Sequence, residues 1–236
     1  MSLAGVARGA TDLLDQIGTF VELHVEQGRS LVHTGDGVGV ASAIWPHGRW
    51  RLDFCGEANH AGTTVMEDRR DPMQAYAATV LASRRLATDA GARATCGRLE
   101  VEPGVTNAVP SRVRAWLDAR AGDAGALDRL VDNVLAEAER AAEIDGTTVD
   151  LITESVSPAV EFDVVLRDRL VNLLDAPVLP TGAGHDAGVL SAHVPTAMLF
   201  VRNLTGVSHS PDEFAEDADC EAGVQALTDV VRELAT

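Results

Sequence analysis

The sequence predicts an α/β protein of two domains, one of them an α+β open-faced sandwich set into the other. Two observations carry this expectation. Between residues 38 and 155 the elements run β-β-α-β-β-α-β, which places two helices on one side of an antiparallel sheet. Beyond Pro158, short and continuously apolar strands alternate with helices, as in a sheet covered on both faces. Residues 1–37 and 156–236 are therefore expected to form one domain, and residues 38–155 the other.

Residues 17–25 read as a buried strand that carries His24 at its end. Residues 37–44 and 49–55 read as a β-hairpin, with Trp45-Pro46-His47-Gly48 supplying the turn. In the second arm Trp50, Leu52 and Phe54 share one face, and Arg49, Arg51 and Asp53 the other. Asp71-Pro72 starts a helix, the carboxylate capping it and the proline filling its first position. Strands follow at 94–102 and 113–120. Residues 123–144 form an amphipathic helix with Leu127, Leu130, Val131, Val134, Leu135 and Ala138 on its apolar face. A β-branched strand covers 147–153, a helix 163–174, an apolar strand 196–201, and a helix 219–234 closes the chain.

The chain has 236 residues, 46% of them hydrophobic, which suffices for a substantial core. No apolar run approaches the roughly 18–20 residues that cross a bilayer, and residues 1–10 lack the pattern of a secretory signal. Three widely spaced cysteines, Cys55, Cys96 and Cys220, read as reduced thiols, so a cytoplasmic location is expected. The net charge is −17 and no lysine occurs. An acidic surface disfavours nucleic acid and anionic membrane as partners. The missing lysine excludes Schiff-base and P-loop lysine chemistry.

Three histidines stand in polar, small-residue motifs: Glu22-Leu23-His24-Val25-Glu26-Gln27-Gly28, Asn59-His60-Ala61-Gly62-Thr63-Thr64 and Ser208-His209-Ser210-Pro211. A single such imidazole is most often a hydrogen-bonded structural residue, whereas three suggest metal-assisted chemistry. His33, His47 and His193 match no motif and read as ordinary surface or partly buried residues.

With Arg69-Arg70-Asp71, Asn107-Ala108-Val109-Pro110, Leu117-Asp118-Ala119-Arg120 and Gly182-Ala183-Gly184-His185-Asp186-Ala187, these motifs run in consistent order from about Asp15 to the C-terminus. So ordered, the chain resembles the allantoate amidohydrolase and N-carbamoyl-L-amino-acid hydrolase branch of the dinuclear metallo-aminoacylase/carboxypeptidase superfamily. Val65 and Arg29 stand where that family usually has proline, at positions without side-chain chemistry. The resemblance implies a ferredoxin-like βαββαβ lid and dimerisation domain inserted into a metallopeptidase-like α/β catalytic domain. It implies a homodimer through the lid, and His24 and His209 each as a ligand to one of two zinc or manganese ions. His60 would steady the tetrahedral oxyanion in the partner subunit's site. Asn107 and Arg120 would hold the substrate carboxylate, with the guanidinium as a bidentate fork. Gly184 and His185 would lie beside the substrate.

The family's His-x-Asp motif, bridging aspartate and Glu-Glu pair stand upstream of the position matching His24, and the residues before His24 contain none of them. The catalytic domain is accordingly expected to be partial, with partial or no metal occupancy. The expected function is hydrolysis of a ureido or carbamoyl C–N bond of a small carboxylate substrate, allantoate before an N-carbamoyl-L-amino acid. The alternative is a catalytically incomplete fragment that dimerises and binds a carboxylate.

Overall fold

The computed structural model describes residues 14–235; the reading of residues 1–10 lies outside them. The chain divides into two compact units, one built from the chain up to Ile44 and from Val160 onward, the other from Trp45–Ala159.

In the first unit the elements are β1 (Phe20–Val25), α1 (Ser30–Thr34), β2 (Val38–Ile44), β9 (Val160–Glu161), α4 (Val164–Leu174), β10 (Val178–Thr181), α5 (Asp186–Leu190), β11 (Thr196–Val201) and α6 (Asp217–Leu234). The sheet order is β1-β11-β2-β10, with β9 paired to β2. β1 runs parallel to β11, and β11 antiparallel to β2. All six residues of β11 are buried, as its continuously apolar sequence requires of a central strand. On one face Leu166 and Leu170 of α4 and Ala226 and Val230 of α6 pack on Val40, Ala197 and Leu199. On the other, Leu31, Phe162 and Ala187 pack on Met198 and Phe200. Asp163 caps α4 by accepting from the Leu166 N–H at 2.7 Å. The buried Asp219 holds Arg202 in a two-pronged ion pair, with contacts of 2.8 and 3.1 Å, tying the end of β11 to α6.

The second unit contains β3 (His47–Cys55), β4 (Asn59–His60), α2 (Pro72–Asp89), β5 (Arg93–Glu102), β6 (Ala108–Val109), β7 (Arg112–Arg120), α3 (Ala124–Ile144) and β8 (Thr148–Ser157). Its four-stranded sheet is antiparallel in the order β5-β7-β3-β8. Chain order β3-α2-β5-β7-α3-β8 makes this the ferredoxin-like βαββαβ arrangement. Trp50, Leu52 and Phe54 face the helices, packing with Val113, Leu117, Leu127, Leu130 and Val134. On the opposite face Arg51, Asp53, Arg114 and Glu100 form a chain of ion pairs. Both helices start as their sequences dictate: Asp71 accepts from Met73 N–H and Asp123 from Ala126 N–H.

The expected hairpin of residues 37–44 and 49–55 does not form. β2 and β3 lie in different sheets, and Trp45-Pro46 is the passage from the first unit to the second. The reason is visible in composition. Val40 and Ala41 are wholly buried, and a Cβ on Gly39 would come within 2.4 Å of Leu179 Cδ2. β2 is thus a two-sided central strand, whereas β3 alternates and needs only one covered face. Among the described residues no helix is long and apolar enough to cross a membrane.

Candidate functional site

In the first unit the site grows from the two-residue period of β1. Glu22 and His24 lie two apart, so both project from one face of the strand. Their parallel partners on β11 are Met198 and Phe200. His185, at the N-terminal end of α5, completes a cluster: Glu22, His24 and His185 bring ligand atoms within 4.8 Å of one another. The two imidazoles meet edge to face with ring centres 4.7 Å apart, and Phe200 lies behind His185 at 6.1 Å.

Hydrogen bonds fix the donors. His24 Nδ1 lies 2.8 Å from the Val25 carbonyl, so Nδ1 is the donor and Nε2 is the nitrogen left for a ligand. Glu22 Oε2 accepts from the Ala187 N–H at 2.7 Å, and Oε1 lies 3.7 Å from His185 Nδ1. The His185 side chain is only 2% exposed. Burial first, and His24 second, lower its pKa to about 4 against the opposing pull of Asp186, so the ring is neutral at physiological pH. Two imidazoles and a carboxylate match the donor set of three-ligand catalytic zinc sites. These residues fit a single divalent cation.

The rest of the first motif is structural. Glu26, buried, accepts from the Ser30 and Leu31 N–H groups and so seats α1. Gly28 leaves room for this carboxylate, since a Cβ there would come within 2.9 Å of Glu26 Oε1. Gln27 reaches the distant loop, its amide donating to Ser208 Oγ at 2.9 Å. His209 lies in that loop, exposed, and is not part of the Glu22–His24–His185 group. The resemblance assigns His24 and His209 to different ions of a pair, and of these two only His24 belongs to the three-residue group. His24 meets His185, expected beside the substrate, and Glu22, which the sequence reading passed over although its spacing from His24 was a usable signal. At Gly184 an added Cβ would meet nothing within 4 Å, so the structure imposes no steric need for glycine there.

In the second unit, β4 pairs with β6, setting His60 opposite Ala108. His60 Nδ1 accepts from the Gly62 and Thr63 N–H groups at 3.0 and 3.2 Å. The ring proton therefore sits on Nε2, making that exposed nitrogen a donor. Arg69 braces the loop through the carbonyls of Ala61 and Thr64. Asn107 adjoins His60, its carbonyl accepting from the Ala61 N–H.

Arg120 is elsewhere. It ends β7 opposite His47, whereas the Asn107 and His60 ladder lies beyond the Arg112 end. Eight strand steps separate the two ends, roughly 26 Å at 3.3 Å per residue. One copy of this unit does not bring Asn107 and Arg120 onto the same small carboxylate. The guanidinium of Arg120 is forked onto Asp118 at 2.8 and 3.1 Å. Burial raises the Asp118 pKa, but the hydrogen bond and charge of Arg120 outweigh it, and the carboxyl stays below its usual range.

The family model for peptidase family M20/M25/M40 matches residues 3–233. The chain is 34% identical over 228 residues to an allantoate amidohydrolase of Bacillus subtilis (strain 168), covering 93% of this chain and 55% of the relative. It is 37% identical over 234 residues to an N-carbamoyl-L-amino acid amidohydrolase of Geobacillus stearothermophilus, again 93% of this chain and 55% of the relative. A crystal structure of a hydantoinase/carbamoylase family amidase from Burkholderia vietnamiensis superposes with a TM-score of 0.83 at 29% identity, over 91% of this chain and 54% of that one. The chain spans about half the length of the relatives it matches.

Proposed function

Because the chain belongs to peptidase family M20/M25/M40, we propose that it serves a metal-dependent amidohydrolase cleaving a ureido or carbamoyl C–N bond of a small carboxylate substrate. The observation that carries this reading is the convergence of Glu22, His24 and His185 on one point, with His24 Nε2 presented as a ligand. Its similarity to an allantoate amidohydrolase and an N-carbamoyl-L-amino acid amidohydrolase supports the bond type. Allantoate is the preferred substrate because the segment Val201-Arg202-Asn203-Leu204-Thr205-Gly206 leading to His209 resembles that of allantoate amidohydrolases, and an N-carbamoyl-L-amino acid is next.

When bound, a divalent cation polarises the scissile carbonyl and acidifies water. The chain's own residues do the rest. Glu22, His24 and His185 would hold the cation. His60, with its proton on Nε2, would donate in the partner subunit's site to the substrate oxygen on which charge develops, a role worth about 10²–10³ in rate for a single donor. Arg120 anchors the substrate carboxylate by exchanging its Asp118 fork for the ligand. Arg120→Lys keeps the charge but loses the fork. In an enzyme that turns over, the variant should raise KM at least tenfold; unchanged kcat/KM returns Arg120 to a purely structural pairing with Asp118.

A second reading has its own support. Arg120 already forks onto one carboxylate, Asp118, and this supports a dimerising, carboxylate-binding module without turnover of its own. Ammonia release from allantoate and N-carbamoyl amino acids, measured with zinc and with manganese, separates the two readings. Turnover supports the enzyme; carboxylate binding without turnover supports the module. In either case the second unit is proposed to form a twofold dimer, an isologous contact that closes on itself. Leu81 and Leu99, exposed on its α2 and β5, are the apolar residues such a contact would cover. Sedimentation should show a dimer at micromolar concentration, and a strict monomer sinks this proposal.

A further inference from the structure

His209 is one of two described non-glycine residues with a positive φ, at 57°. A residue bearing a Cβ is disfavoured there by an amount of order 1 kcal/mol or more, and such conformations persist only where the surroundings over-determine them. The surroundings here are specific. Glu213 uses both carboxylate oxygens on the turn: Oε2 accepts from the His209 N–H at 3.0 Å, and Oε1 accepts from the Ser208 hydroxyl at 3.1 Å. The Glu213 N–H returns to the Ser210 carbonyl at 3.0 Å, closing the ring of contacts.

The same hydroxyl of Ser208 accepts from the Gln27 amide at 2.9 Å. Gln27 follows β1 by two residues and stands three after His24. A continuous chain of polar contacts therefore runs from the end of the His24 strand through Ser208 and Glu213 to the backbone of His209. Upstream, the fully buried Asn203 independently shapes the preceding turn. Its carbonyl oxygen accepts from the Thr205 and Gly206 N–H groups, and its amide donates to the Val207 carbonyl. Gly206, at φ 68°, takes the other left-handed position in this loop without strain. Where only backbone geometry mattered, glycine would serve at 209 as it does at 206. A histidine kept in that conformation is kept for its ring.

From these contacts we infer that Glu213 is the positioning residue for His209, and that Gln27 couples it through Ser208 to the strand that carries His24. The carboxylate is suited to the task because an ionised group accepts two hydrogen bonds at once and strengthens both. A glutamine there puts a donor NH2 in place of one of the two oxygens, so one contact loses its acceptor and the other loses its charge. The inference stands apart from the proposed function, which gives the His209 ring no role.

The test is amide hydrogen exchange on the full chain, read by NMR without substrate or metal, so its failure is distinct from failure of an activity assay. Losing a hydrogen bond to a charged group corresponds to about ten- to a hundredfold. Glu213→Ala should therefore accelerate exchange at His209 by at least about tenfold, while Thr205 and Gly206, held by Asn203, keep their wild-type rates. Glu213→Gln should fall between the two, and Gln27→Ala should produce a smaller acceleration at His209. Unchanged exchange at His209, or equal acceleration across residues 203–213, overturns the assignment. A second measurement uses His209→Gly. Glycine accepts the left-handed turn unaided, so the fall in melting temperature from Glu213→Ala should be at least halved in that background. An equal fall in both backgrounds also overturns it.

Discussion

Phe200→Ala is expected to destabilise the first unit by about 3–5 kcal/mol, the usual cost of removing a buried aromatic ring from a packed core. The Phe200 side chain is 1% exposed, packed with Leu31, Met198 and Phe162. Its neighbours are backbone-fixed: Phe200 pairs with His24 on one side and Gly39 on the other. A Cβ at Gly39 already has no room, so this part of the core is set by strand geometry and closes poorly over a void. Because parallel partners project to the same face, Phe200 is also the wall behind His185. Opening it readmits water to an imidazole whose pKa is lowered to about 4 chiefly by burial. The sign follows from that direction. Between about 4 and 6.5 the unfolded chain binds the His185 proton and the folded chain does not, so His185 makes stability fall as pH falls through this window. Phe200→Ala should lower the urea midpoint at neutral pH and flatten this acid dependence. Leu199→Ala, on the opposite face and also fully buried, should cost about 2–5 kcal/mol and leave the acid dependence of His185 intact. A Phe200→Ala protein with a wild-type midpoint would show that the β11 core is not packed as described.

Local patterns carried the fold where a segment's neighbours are implied by its own residues. The apolar strand Thr196–Val201 coincides with its expected bounds, and the alternation of Trp50, Leu52 and Phe54 identified the covered face of β3. The helix over 123–144 was legible from its apolar face, and it and the helix over 163–174 both begin at a capping aspartate. The hairpin failed because turn residues at 45–48 report that the chain bends, not which strand it bends towards. Glycine and alanine in β2 were the better signal, since small residues under both faces imply a central strand. At the site, the motifs named the histidines but not their company. His24 meets His185 across 161 residues, 185 less 24, because the start of α5 is seated on β1 by the Ala187 N–H contact to Glu22, which no spacing reports. Glu22 was readable from its two-residue spacing. The distance between Asn107 and Arg120 was readable too, since a nine-residue strand lies between them. Glu213 was not, because its role depends on the φ of His209, which no spacing reports.

The largest expected effect on function is the loss of cation binding in His24→Ala. Wild-type chain should bind one equivalent of zinc or manganese, held by Glu22, His24 and His185. An ion that binds the folded state alone stabilises it by about 2.7 kcal/mol at a hundredfold excess over Kd, so the melting transition should rise with metal concentration. His24→Ala removes the donor whose tautomer is set by the Val25 carbonyl, and the metal-dependent rise should vanish. His185→Ala should do the same. Glu22→Gln should weaken binding by at least about tenfold while the fold persists, because a glutamine oxygen still accepts from the Ala187 N–H. His209→Ala is the deciding control. His209 stands outside the cluster, and its removal should leave the first equivalent of metal bound. Equilibrium dialysis with metal analysis, paired with melting curves for the same five proteins, gives the answer. Retention of metal by His185→Ala, with loss in His209→Ala, would move the site from β1 and α5 to β1 and the His209 loop, and the Glu22–His185 contact would become a brace for α5 alone.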